Sequence, residues 1–178
     1  MLRFEQGLLR FDDFTLEADF EVAKGDRLAV LGASGSGKST LLSAIAGFLI
    51  VDGVDVTRTP APKRPLSILF QEGNLFPHLT AFDNVALGLR TDLRLDEGTR
   101  ARVNQALDRV GLAEMAARRP GDLSGGQRSR VALARMLLRG RPLALLDEPF
   151  AALDPGLRAE MLALMGELCV DTGLTLVM

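Results

Sequence analysis

The sequence predicts an α/β fold with an antiparallel β layer at its start and a helical insertion in its middle. Three observations predict it. Four short apolar stretches, 27–31, 66–70, 143–146 and 174–178, read as buried strands with helical sequence among them. The first runs directly into a glycine-rich loop, Gly32-Ala33-Ser34-Gly35-Ser36-Gly37-Lys38-Ser39-Thr40, and a helix at 41–46 follows. Residues 1–26 instead alternate with period two, through Leu8, Arg10, Phe14, Leu16, Ala18, Phe20 and Val22, as strands with one buried face do.

Composition narrows the class. The chain has 178 residues, 47% hydrophobic and 25% charged, which suits one globular domain with a sizeable core. Its net charge of −2 gives no general attraction to nucleic acid or anionic lipid. No apolar run approaches the roughly 18 residues needed to span a bilayer, and Glu5 interrupts anything resembling a signal peptide. A cytosolic protein fits these features. The single cysteine, Cys169, falls in a predicted helix and is expected to be a buried or half-buried apolar residue.

The glycine loop fits G-x-x-x-x-G-K-[ST], with Gly32 and Gly37 as the fixed glycines and Lys38-Ser39 closing it. Glycines accept dihedrals closed to other residues and let a backbone approach a ligand closely. Successive amides then point into one concavity that holds phosphate oxygens, and the helix starting near Lys38 adds unpaired amides and a positive dipole end. Lys38 is placed to reach the β- and γ-phosphates, and the Ser39 hydroxyl to ligate Mg²⁺. The plain alternative is a glycine turn that binds nothing; the strand before it and the helix after it argue against that.

Along the chain, Lys24-Gly25-Asp26 is a turn, and Phe11 lies upstream of the loop. Phe11 is either a core-facing strand residue or a stacking platform for an adenine ring. Pro60, Pro62 and Pro65 mark a loop before the strand at 66–70, which ends at Gln71, a position where α/β folds put ligand-contacting groups. From Gly73 to about Arg139 the sequence is helical and rich in arginine. Thr80 caps a helix through Leu89. Asp96 caps another with Val103, Leu107 and Val110 on one face, stopped by Gly111, and a short helix at 112–117 follows. The arginines read as a solvated face, because acids are interspersed among them. Ser124 caps a helix from Gln127 to Leu138. The glycine pair Gly125-Gly126 makes its start a second anion-seeking helix end, more than one triphosphate needs from one subunit. The strand from Leu143 ends in Asp147-Glu148, whose side chains alternation sends to opposite sides. Asp147 is expected to hold Mg²⁺ or its water, and Glu148 to face the γ-phosphate and orient or deprotonate a water. Two surface acids before Pro149 are the plain alternative. Asp154 caps a helix to Val170, and 174–178 is a last buried strand.

At this point the residues resemble a family. Gly32 to Thr40, Gln71, Leu123 to Gln127, Leu145 to Glu148 and Leu153-Asp154 look like the Walker A, Q-loop, signature, Walker B and D-loop of ABC transporter ATPases. The resemblance covers nearly the whole chain, and Leu-Ser-Gly-Gly-Gln shortly before a Walker B strand is its most specific part. The stretch 64–80 is similar to bacterial importer ATPases, above all those of thiamine import. The resemblance implies a P-loop NTPase core of RecA-like type (1–72 and 140–178, with the β layer) and a helical subdomain, 73–139, carrying the signature. It implies two cofactors, ATP and Mg²⁺. It implies a head-to-tail dimer in which Gly32, Ala33, Ser34, Gly35, Ser36, Gly37, Lys38, Ser39 and Thr40 of one copy and Ser124, Gly125, Gly126 and Gln127 of the other enclose each ATP. Phe11 then stacks on adenine; Ser39, Gln71 and Asp147 face Mg²⁺; and Glu148, Gln71 and Lys38 are catalytic. The implied partners are a second copy, a membrane permease docking beside 72–80 and, indirectly, a periplasmic solute-binding protein, at the cytoplasmic face of the inner membrane; no nucleic acid is implied.

The sequence departs from the family twice. The turn and strand start normally between Phe48 and Ile50 are missing, which is expected to perturb the β layer. The chain also stops at Met178, before the family's switch histidine; His78 belongs with the permease-facing surface and cannot replace it. A chain cut short there is expected to bind ATP but hydrolyse it weakly. An ABC-type ATPase of chromosome maintenance is the remaining alternative, and the absence of sustained heptads between Thr40 and Leu123 opposes it.

Overall fold

The alternating N-terminal sequence folds as a long hairpin, β1 (Leu2–Phe11) against β2 (Phe14–Val22). The computed structural model describes residues 2–11, 14–47, 50–51, 53–70 and 74–178. Register runs from Leu2 opposite Val22 to Phe11 opposite Phe14, with a shift between Phe4 and Gly7. Two short strands, β4 (Ile50–Val51) and β5 (Val54–Asp55), extend this antiparallel sheet in the order β2-β1-β4-β5. Among the described residues β4 pairs with β1 through Leu2 opposite Val51 and Arg3 opposite Ile50.

A second sheet is parallel, in the order β3-β8-β7-β6, from β3 (Arg27–Leu28), β6 (Leu66–Leu69), β7 (Leu143–Leu146) and β8 (Thr175–Val177). β7, flanked on both sides, is buried throughout, as a central parallel strand should be. β3 is shorter than expected: the ladder continues through the Val30 amide on the Met178 carbonyl (2.5 Å), but Leu31 is 91% exposed rather than buried. The reason is position. Among the described residues β3 is an edge strand bonded only to β8, so an apolar run there is covered on one side alone. β6 is likewise an edge, ends at Leu69, and leaves Phe70 exposed.

Among the described residues five α-helices complete the fold. α1 (Lys38–Gly47) sends Leu42 and Ile45 against the sheets, in a core with Leu2, Phe4, Val22, Leu145 and Val177. α2 (Ala81–Ala86) and α3 (Glu97–Arg109) carry the expected caps: the Thr80 side chain accepts from the Asp83 amide, and Asp96 from that of Thr99. α2 stops at Ala86, earlier than expected, where Gly88 presses on the neighbouring helix; a Cβ there would lie 2.6 Å from the Arg135 carbonyl. The segment expected as a helix at 112–117 is a single 3-10 turn, Ala113–Met115. α4 (Gly125–Leu138) is shared: Leu133 and Met136 join the core beneath the parallel sheet, while Val131 and Ala134 join Val85, Val103 and Leu107 of α2 and α3. α5 (Pro155–Thr172) covers the same face of the parallel sheet as α4, with Met161, Met165 and Leu168, opposite the face that α1 covers, and ends on Gly173 in a left-handed cap. Cys169 is buried in this face, and that burial pushes its thiol pKa up.

The arginines of 73–139 are less of a solvated face than the sequence suggests. Arg128 donates to the Pro120 and Leu123 carbonyls, Arg130 to that of Val110, and Arg135 to that of Asn74. Such partners are distant in sequence or sit in irregular loops, so periodicity does not reveal them.

Candidate functional site

β3 and α1 position the glycine loop at the carboxyl edge of the parallel sheet. The loop turns tightly, with the Ser36 amide on the Ala33 carbonyl (3.2 Å) and Gly35 and Gly37 at φ of 79° and 91°. Two of its glycines have no room for a side chain. A Cβ on Gly32 would lie 2.5 Å from Ser36 Oγ, and one on Gly37 would lie 2.5 Å from the ring of Phe14. In the sequence pattern Phe14 is simply one of the alternating strand residues. The β1–β2 register places it opposite Phe11, so the strand position of Phe11 is brought beside the loop; its side chain lies outside the described residues.

Lys38 curls back over the loop. Its Nζ donates to the Gly32 and Ala33 carbonyls at 3.0 Å each and lies 3.4 Å from Glu148 Oε1. Ser39, next along, donates its hydroxyl to Asp147 Oδ1 at 2.8 Å. Two acids from beyond β7 thus meet two successive residues of α1. Strand alternation is not what separates them, because β7 ends at Leu146. Asp147 is tied by its amide to the Leu69 carbonyl (3.0 Å), and Glu148 takes a left-handed φ of 44°, rare for a side chain of its size. That turn divides the acids between Ser39 and Lys38. Gln71, expected at the same place, lies outside the described residues.

The donors suit a magnesium nucleotide. The loop amides and the Lys38 ammonium suit phosphate, and a hydroxyl and a carboxylate oxygen side by side suit Mg²⁺. Among the described residues no group of three or more His, Cys, Asp or Glu could hold a metal, so the ion would share its coordination with phosphate and water rather than sit in an all-protein cage.

The second glycine pair is built into α4 itself, which starts at Gly125 rather than Gln127. Ser124 and Gln127 form a reciprocal capping box, Gln127 Oε1 on the Ser124 amide (2.9 Å) and Ser124 Oγ on the Gln127 amide (3.2 Å). Gly126 is buried against α5; a Cβ on it would lie 2.4 Å from Leu157 Cδ2. Among the described residues no hydrogen bond or ion pair joins 124–127 to 32–40. Replacing Ser124 by Ala removes half of the box and is expected to lower unfolding free energy by about 1 kcal/mol, read by urea denaturation.

The pattern of the ABC transporter family matches residues 16–151, which include the loop, both glycine pairs and both acids. The chain belongs to the ABC transporter family. Thiamine import ATP-binding protein ThiQ of Jannaschia sp. (strain CCS1) is 60% identical, over all of this chain and 81% of its own length. ThiQ of Cereibacter sphaeroides is 54% identical over all of the chain and 80% of its own, and ThiQ of Shigella boydii 46% over the same shares. The Jannaschia alignment spans 185 positions against 178 residues here, leaving at least seven positions without a counterpart in this chain. Among solved structures, the dimeric ATP-binding cassette MJ0796 in a post-hydrolysis state bound to ADP and Pi superposes with a TM-score of 0.80 at 29% identity, over 99% of this chain and 86% of that one. CbiO1 from Clostridium perfringens, part of the ABC transporter complex cbiONQ, gives 0.87 at 30%, over 99% and 76%. As an ABC ATPase the chain binds ATP, with Mg²⁺ as the usual partner ion, and couples its hydrolysis to transport. No helix among the described residues is long and apolar enough to cross a membrane.

Proposed function

We propose that this chain is the ATP-hydrolysing subunit of a thiamine importer, lying on the cytoplasmic face of the inner membrane and working as a head-to-tail dimer beneath a permease that receives thiamine from a periplasmic binding protein. The observation that carries the cargo is the set of full-chain relatives at 46–60% identity that bear the thiamine import name. The dimer is supported by the presence of two anion-seeking helix starts in one chain and by the dimeric neighbour.

The geometry around Lys38, Ser39, Asp147 and Glu148 supports their roles, and the family resemblance supplies those of Gln71, Phe11 and the second copy. Lys38 would exchange its loop carbonyls for β- and γ-phosphate oxygens, with the amides of Gly32 to Thr40 around them. Ser39, Asp147 and Gln71 would hold Mg²⁺, which when bound neutralises charge on the phosphate oxygens. Glu148, already beside Lys38, would face the γ-phosphate and take a proton from the attacking water as its oxygen bonds to phosphorus and the bridging oxygen leaves with ADP. Ser124, Gly125, Gly126 and Gln127 of the second copy would cap the γ-phosphate, and Phe11 would stack on adenine.

The docking surface lies at the exposed end of β6. A cavity of about 300 Å³ there is lined by Phe70, Asn74, Phe76, Leu87 and Arg139, among others. Its rim is held by a buried amide: Asn84 Oδ1 accepts from the Phe76 amide, while Nδ2 donates to the Phe76, Leu79 and Thr80 carbonyls. Phe76 itself is 46% exposed, with His78 edge-on to its ring. Phe76→Glu is expected to abolish co-purification with a thiamine permease and ATP-driven uptake of labelled thiamine in reconstituted vesicles, with ATP binding unchanged. Hydrolysis without thiamine uptake by the unaltered chain, in vesicles that take up another solute, would overturn the cargo.

A further inference from the structure

The first turn of α5 touches both halves of the nucleotide machinery. Leu157 packs on Gly126, and Leu153 Cδ2 lies 3.6 Å from where a Cβ of Gly125 would be. Arg158 follows at once and turns the other way. Its Nε donates to the Phe150 carbonyl (3.3 Å), and its Nη2 to those of Ala151 (3.0 Å) and Leu153 (3.4 Å). These three carbonyls belong to the loop leaving Glu148. That loop has its own turns, Ala151 amide on the Glu148 carbonyl and Leu153 amide on that of Phe150, both at 3.1 Å. Phe150 is buried and anchors it from below. Arg158 has no carboxylate partner among the described residues; its guanidinium is committed to backbone. A planar fork of donors can bind several diverging carbonyls at once, which a single ammonium does less well.

We propose that Arg158 is a positioning residue for Glu148: by fixing 150–153 it holds the left-handed turn at Glu148 in place, and through Leu157 the same helical turn ties that loop to the start of the signature helix. This rests on the reading of Glu148 as the base that activates water. A base must be held near its working geometry, and displacements of an ångström can cost about 100-fold in rate. Arg158 is solvent-exposed, so its bonds contribute little to global stability, and its loss should register in the loop rather than in the melting temperature.

The test compares wild type with Arg158→Ala and Arg158→Lys. Arg158→Ala is expected to lower kcat for ATP by about 10- to 100-fold while the ATP dissociation constant stays within about twofold, with Arg158→Lys recovering part of the loss. Amide hydrogen exchange is expected to quicken at 150–153 in Arg158→Ala and to stay slow at 161–169 in the middle of α5. Unchanged kcat, equal losses in kcat and affinity, or wild-type protection of 150–153 in the alanine variant would overturn the proposal. Hydrolysis by wild type no faster than by Glu148→Gln would instead overturn the reading of Glu148, and the exchange at 150–153 would still decide what Arg158 holds.

Discussion

Glu148→Gln is expected to slow ATP hydrolysis by about 10²–10⁴-fold, the loss typical of removing a positioned general base. The substitution keeps size and hydrogen-bonding capacity, so the left-handed turn and the loop to Phe150 should persist. What disappears is the carboxylate's ability to take a proton. It also removes the negative partner of Lys38, 3.4 Å away. Freed of that attraction, Lys38 should serve phosphate at least as well, so ATP affinity should hold or rise. Phosphate release under saturating Mg-ATP and binding calorimetry separate the two quantities. Hydrolysis within threefold of wild type would remove Glu148 from the chemistry.

Gly37→Ala is expected to weaken ATP binding by about 10- to 100-fold. A φ of 91° lies outside even the left-handed region that side chains tolerate, at a cost of about 1–3 kcal/mol. The new methyl would also meet the Phe14 ring at 2.5 Å. The loop must move, and its amides move with it. Combining the change with Phe14→Ala should relieve the contact but not the backbone, so only part of the affinity should return. Full recovery in the double variant would show that the ring alone required glycine there. The measurement is an ATP titration followed by calorimetry.

Much of this site was legible because its signals are local. Thr80, Asp96, Ser124 and Asp154 each cap the helix they precede, since a short polar side chain needs only the amide three residues on. Gly37 and Lys38 could be read because the phosphate pattern encodes a backbone shape. Lengths were less legible, because neighbours decide them: β3 is cut short at a sheet edge, and α2 stops where Gly88 meets the Arg135 carbonyl. Asp147 and Glu148 do diverge, toward Ser39 and Lys38, but at a left-handed turn beyond β7 rather than by a strand pleat. Phe14, Arg128 and Arg158 were missed because nothing near them in sequence names their partners. Their roles come from a ring laid across a glycine and from loop carbonyls converging on a guanidinium.

The pairing of β3 with β8 also bears on how the chain acquires its function during synthesis. β3 leads into the nucleotide loop, yet it hydrogen-bonds to a strand near the opposite end of the sequence, and the Gly25 amide reaches a hydroxyl 150 residues away, that of Thr175. A contact so distant is among the slowest to form. On the ribosome the β1–β2 hairpin and the α2–α4 group can assemble early from nearby sequence, while the loop's supporting strand waits for β8 to emerge. Nucleotide competence should therefore wait for β8, and ATP, by binding only the finished loop, should favour completion of the β3–β8 ladder.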